Sequence, residues 1–279
     1  MNKLGTEYRP VTQRKTNITA NNALTLQFDC DKWMRGLFGI ACLLVILNLI
    51  AVLCKHLSGH PNAWGIIPMF ELDEERNIPT YFSSFILLLS SVLLMVLSVI
   101  KQNDSDKYSG HWRLLAALFF YLSIDESAGI HEMLIYPMRE NFQLSGVLYF
   151  SWVIFGVIGV AGLGFYYLRF VFSLPPLFRN RVILAAFIYV AGALGIELLG
   201  GYYASNYTVS NLTYSLITTV EETMEITGVL LFVRALYKHL KNQRPYITLM
   251  LTPYVTGLEQ PQEDLLPQHE LYQYAENHA

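Results

Sequence analysis

The chain has 279 residues, of which 53% are hydrophobic and 15% charged, with a formal net charge of −3. That is too apolar for an ordinary soluble domain and too weakly charged for a nucleic-acid partner. Three cysteines, Cys30, Cys42 and Cys54, make neither a disulfide framework nor a thiolate metal motif.

Residues 1–28 are polar and mixed, which predicts a flexible tail with no cleavable signal. Six apolar segments follow, at 33–54, 80–100, 112–136, 147–170, 181–203 and 212–237. Each reaches the roughly 20 residues that cross a bilayer as a helix. The fold class expected is all-α, a polytopic membrane bundle over 29–244, with residues 245–279 a second disordered tail rich in Gln, Glu and Pro.

Basic residues fix the expected orientation. They crowd the N-terminal tail, the second loop (Lys101, Lys107, Arg113), the fourth (Arg169, Arg179, Arg181) and the C-terminal side, against Lys55, Arg76 and Arg139 opposite. Both termini are therefore expected in the cytoplasm. The longest connection, 55–79, carries Trp64, Ile66, Ile67, Met69 and Phe70 and reads as an interfacial segment or lid on the outer side. Asn77 and Pro79 mark the start of the second span. The acidic run Glu71, Asp73, Glu74 and Glu75 lies on that side, and Asp73, Glu74 and Glu75 read as a solvated rim.

The chemistry is concentrated in acids within the spans. Asp125, Glu126 and Glu132 lie in the third segment, Glu197 in the fifth, and Glu221, Glu222 and Glu225 in the sixth, with no Lys or Arg at the same depth. A carboxylate in hydrocarbon is costly and marks a functional site by default. The topology puts all seven in the outer half of the bilayer. Glu221, Glu222 and Glu225 share an arc of roughly 100° of their helix. Asp125, Gly129 and Glu132 share a face of theirs, from which Glu126 and His131 diverge, so either that helix is surrounded or Gly129 breaks it.

Clustered carboxylates cannot all stay ionised without a cation between them. Glu, Asp and His suit iron, manganese or zinc, and inward carboxylates from bundled helices resemble the di-iron and di-manganese carboxylate sites, though only one histidine, His131, belongs to the set. The metal-ligand candidates are Asp125, His131, Glu132, Glu197, Glu221, Glu222 and Glu225. The catalytic candidates are Glu126, His131 and Glu222, and His56 and His60 are accessory. Three functions fit. One is a metal-dependent membrane enzyme, a hydrolase or oxidoreductase, acting on a lipid or other apolar substrate. The second is a divalent-cation or proton transporter, and the third a non-catalytic sensor or complex subunit. Membrane lipids are the expected surroundings, in a bacterial inner membrane by the small size of the chain.

Overall fold

The computed structural model describes residues 30–57 and 62–243. The tails expected at 1–28 and 245–279 lie outside them, as does His60. The described residues are helical, with no strand among them: α1 Cys30–Leu57, a short α2 Ile66–Phe70, α3 Ile78–Asn103, α4 Ser109–Ala128, α5 Ile135–Phe142, α6 Val153–Ser173, α7 Pro176–Val190, α8 Glu197–Asn206 and α9 Leu212–Gln243. A π-helical segment, Ala191–Ile196, joins α7 to α8 without a loop.

Four helical stretches are long and apolar enough to cross a membrane: Asp31–Leu57, Ile78–Asn103, Val153–Ser173 and Pro176–Asn206. A fifth is counted if α4 is taken with Glu132–Phe142, to which it is bent by 65°. Of the two alternatives left open for the 112–136 segment, an enclosed helix or a break at Gly129, the structure has the break. Gly129 adopts φ +57, ψ 38, a left-handed conformation that ends α4 and is cheap only for glycine. Asn77 caps α3 as the sequence suggests, accepting a hydrogen bond from Thr80 N at 3.0 Å.

The polarity of the bundle is inverted relative to a soluble protein. Ile50 and Phe165 are 53% and 84% exposed, whereas Asn48 is 1% and Ser90 0% exposed. Cys42 and Cys54 are also exposed, against the usual burial of free cysteine. Large apolar groups outside and polar groups inside are what a lipid solvent selects.

The α3–α4 seam has a repeat of seven. Ser84 donates to Ser123 O at 2.7 Å, Ser91 to Ala116 O at 2.8 Å, and Ser98 to Ser109 O at 3.1 Å. Small side chains let the two backbones approach, and each hydroxyl then finds a carbonyl across the seam. Helix α9 packs against α1, α3, α7 and α8. Its last turn returns to the start of α1, where Lys241 Nζ lies 3.6 Å from Asp31 Oδ2. At that end the core is apolar and aromatic, with Leu94, Leu97, Trp112, Phe170, Phe178, Phe232 and Leu236 in one cluster.

Candidate functional site

The carboxyls gather toward the opposite end, beneath α2 and α5. Glu126 of α4, Glu222 and Glu225 of α9, Tyr189 of α7 and Ser83 of α3 line one small cavity, floored by Ile86, Leu87, Ile226 and Val229. Its free space is about 10 Å³ to the centre of a water-sized sphere, room for about one water. Ser83 hydrogen-bonds the Glu126 carboxyl.

Beside the cavity, the Glu197 and Glu221 carboxyls hydrogen-bond each other. Two ionised carboxylates offer only acceptors, so this contact needs a proton. Glu197 also accepts from Trp152 Nε1 at 2.8 Å. The Trp152 ring meets His131 edge-on, centroids 4.7 Å apart. His131 sits just past the break in α4, held by Asp125 at two points: its backbone N donates to Oδ1 at 2.9 Å and its Nδ1 pairs with Oδ2 at 2.8 Å.

The π segment explains how α7 and α8 serve one site. An unbroken α-helix would set Tyr189 and Glu197, eight residues apart, about 80° from one another. The extra residue of a π turn takes up about 100°, which leaves them about 20° apart and both toward α9. Glycines permit the approach. A Cβ on Gly192 would lie 3.0 Å from Glu221 O, and one on Gly228 would lie 2.7 Å from Tyr189 N.

Glu126, Glu197, Glu221, Glu222 and Glu225 form no ion pair among the described residues. Ion pairs there include Lys55–Glu71, Lys101–Asp106, His131–Asp125 and Lys241–Asp31. Arg139 instead lies over the rings of Tyr136 and Tyr149. Nor do three His, Cys, Asp or Glu side chains among the described residues come together as a metal-binding group.

Residues 37–240 match the family described as "Domain of unknown function (DUF8692)". The chain belongs to that family. No curated protein and no solved structure matches it. The DUF8692 match runs from α1 to α9 and contains every candidate residue in its range.

Within this DUF8692 domain the candidates fall into two groups. Glu126, Glu222 and Glu225 share the cavity, so Glu126 joins α9 although the helical wheel set it apart from Asp125 and Glu132. Asp125–His131 and Glu197–Glu221 are two hydrogen-bonded pairs beside it, joined through the Trp152 ring, and Glu132 lies beyond the α4 break, close enough to act on His131 and to be acted on by Glu75 and Glu197. His56 is engaged elsewhere, its Nε2 3.1 Å from Ser215 Oγ. Tyr189, Ser83 and Trp152 were missed. Each is ordinary in sequence, and only its proximity to a carboxyl distinguishes it.

The acidic rim stands only in part: Glu74 is exposed, whereas Glu75 sits against Gly129, and Glu71 ahead of the rim is 2% exposed and pairs with Lys55 at 2.5 Å. Burial, then the neighbouring Glu71, pushes Asp73 up to about 7.

Proposed function

We propose that this is a multi-pass membrane protein of about six spans, both termini cytoplasmic, whose buried carboxyl cluster binds and exchanges protons with the outer compartment. On this reading the domain is a proton-responsive device. The observation that carries the reading is the contact of the Glu197 and Glu221 carboxyls, which calls for a proton between them, within a group of five glutamates that make no ion pair among the described residues. The one-water cavity suits a proton-carrying site better than a lipid substrate. The apolar core at the other end supports access from one side only, which weighs against a transporter. The Asp31–Lys241 contact supports an even number of passes, with α9 as the sixth.

Infrared difference spectroscopy of the purified protein between about pH 5 and about pH 9 tests this, because a protonated carboxyl and a carboxylate absorb apart. Protonated carboxyl bands persisting at neutral pH, and diminished in Glu221→Gln, are the expected result. A spectrum of carboxylates alone at neutral pH would refute the reading.

A second reading, the metal-dependent membrane enzyme, has one observation in its favour. Asp125 holds His131 through Nδ1, as carboxylates orient the free nitrogen of metal-binding histidines. Iron, manganese or zinc would have to draw Glu132, Glu197 or the α9 glutamates toward that nitrogen. Stoichiometric metal in the purified protein would move the weight to it.

A further inference from the structure

Residues 62–70, Asn-Ala-Trp-Gly-Ile-Ile-Pro-Met-Phe, contain no ionisable side chain, although they lie between α1 and α3 at the end where the carboxyls gather. The segment has two faces. Ile67 is 3% exposed, whereas Ile66 and Met69 are exposed and Trp64 is 99% exposed. The backbone that holds Trp64 out is an unfavourable one. Ala63, Trp64 and Gly65 follow one another at φ +38, +56 and +88, and the left-handed region disfavours the first two, which carry a Cβ. Conformations of that kind persist where their surroundings hold them. At 99% exposure the Trp64 side chain has no such surroundings within the chain.

The adjoining surface says what covers it. Helix α2 packs against both α1 and α3. The end of α1 exposes Leu53 and Leu57, and the start of α3 exposes Ile78 and Tyr81, large groups of the kind that spanning helices turn to lipid. The exposed face of 62–70 continues that lipid-facing surface past the ends of the spans, where hydrocarbon gives way to headgroups. Tryptophan favours this boundary, because its ring is apolar and its N–H needs a polar partner. A connection turned to water would carry charge in place of Trp, Ile and Met, and here charge begins only at Glu71.

We propose that residues 62–70 are an interfacial anchor, lying in the headgroup–acyl boundary of the leaflet at the carboxyl-cluster end and inserting Trp64 into it. The partner is a lipid surface, recognised by burial of apolar groups and not by headgroup charge, since the segment has no charge to offer. The inference rests on the multi-pass part of the reading above and is independent of the proton chemistry. Its consequence for the cluster is one of depth. The chain leaving the anchor is fastened to the bundle, Glu71 to Lys55 and Leu72 N to Asn48 Oδ1 at 2.8 Å. Asn48 Nδ2 donates in turn to Thr219 Oγ1 of α9 at 2.9 Å, and Glu75 then sits against Gly129, so residues 71–77 cover this end of the bundle. The anchor is thus tied, two residues past Phe70, to the helix that carries Glu221, Glu222 and Glu225, and it sets how far they lie below the headgroups.

The test is tryptophan fluorescence of the full chain in phosphatidylcholine vesicles whose acyl chains are brominated either near the ester or near the terminal methyl. The Trp64 signal is the difference between the wild type and Trp64→Phe, a substitution at an exposed position that leaves Trp33, Trp112 and Trp152 in place. The expected difference spectrum lies to the blue of indole in water. It loses most of its intensity to bromine near the ester and little to bromine near the methyl, and it is unchanged when phosphatidylglycerol is mixed in. A Trp64 signal that neither lipid quenches overturns the anchor, whether the ring then emits as in water or, under a protein partner or a second copy, to the blue. Stronger quenching by the deep bromine places the ring in the hydrocarbon and also overturns it. Quenching that appears only with phosphatidylglycerol overturns recognition by apolar burial. Trp64→Phe itself separates this inference from the reading beneath it, because Trp33 is exposed on the spanning helix α1. A variant still quenched beside an unquenched Trp64 overturns the anchor alone, and a variant that neither lipid quenches overturns the membrane bundle and the anchor with it.

Discussion

Gly129→Ala isolates the contact on which the α4 break and the overlying segment both depend. The substitution has two costs. At φ +57 an L-residue loses about 1 kcal/mol relative to glycine. The new Cβ would also overlap the Glu75 carboxylate, the end of a flexible side chain that can swing aside, so its cost lies at the low end of overpacking, about 1 kcal/mol. The total is about 2 kcal/mol, a fall in Tm of roughly 4–8 °C for a domain of this size. Thermal unfolding of the detergent-purified protein, followed by tryptophan fluorescence, measures it. In a Glu75→Ala background the overlap is gone and only the backbone cost of about 1 kcal/mol remains, so the two changes are non-additive by about 1 kcal/mol. Equal costs in the two backgrounds would show that Glu75 does not seat on Gly129. No cost in either would refute a left-handed break at this position.

Asn48→Ala removes the side chain that joins Leu72 N to Thr219 Oγ1, leaving a buried donor without its acceptor. It is expected to lower stability by about 2 kcal/mol in the same unfolding assay, and a loss under about 0.5 kcal/mol would refute the buried link. The pH dependence has a definite sign. Asp73 is raised from 3.8 to about 7, so the unfolded chain gives up this proton more readily than the folded one. The stability carried by neutral Asp73 is full below about pH 4 and lost as pH rises through 7. Asp73→Asn should therefore match the wild type in acid and exceed it above neutral pH, and an Asn variant less stable at high pH would contradict the shift. Elemental analysis of the wild type beside a Glu222→Gln, Glu225→Gln double variant should find no stoichiometric iron, manganese or zinc in either, with both folded. Metal in the wild type that the variant lacks would install the metal-dependent enzyme in place of the proton site.

The acids were legible by type because a carboxylate in an apolar run is conspicuous whatever surrounds it. Their grouping was only half legible. A wheel of constant pitch set Glu126 apart from Glu132, but α4 stops at Gly129, and the two do not share a helix. The glycine was visible, yet the side chain seated against it, Glu75, comes from more than fifty positions earlier. The π segment left no pattern to read, since Gly192 and Gly195 look the same in a regular helix. The burial of Glu71 needed the Lys55 contact, which is tertiary. Ser84, Ser91 and Ser98 could have been found. Their spacing of seven matches Ser123, Ala116 and Ser109 in reverse, which predicts an antiparallel seam between the two segments.

Helix α9 shows why composition and burial must be read together. It is absent from the stretches apolar enough to cross a membrane, and Glu221, Glu222 and Glu225 lie at its middle. Yet it is the helix that α1, α3, α7 and α8 all pack against. A helix facing lipid must be apolar on that face, whereas a helix enclosed by others is free of that demand and can carry polar groups wherever neighbours satisfy them. The enclosure is uneven along its length. Toward Gln243 the neighbours offer Leu94, Phe178 and Trp112, which can satisfy no charge, and α9 presents Phe232 and Leu236 there. Toward Leu212 they offer Ser83, Trp152, Tyr189 and the carboxyls of α4 and α8, and there α9 carries its acids. The polar end is also the end covered by residues 71–77.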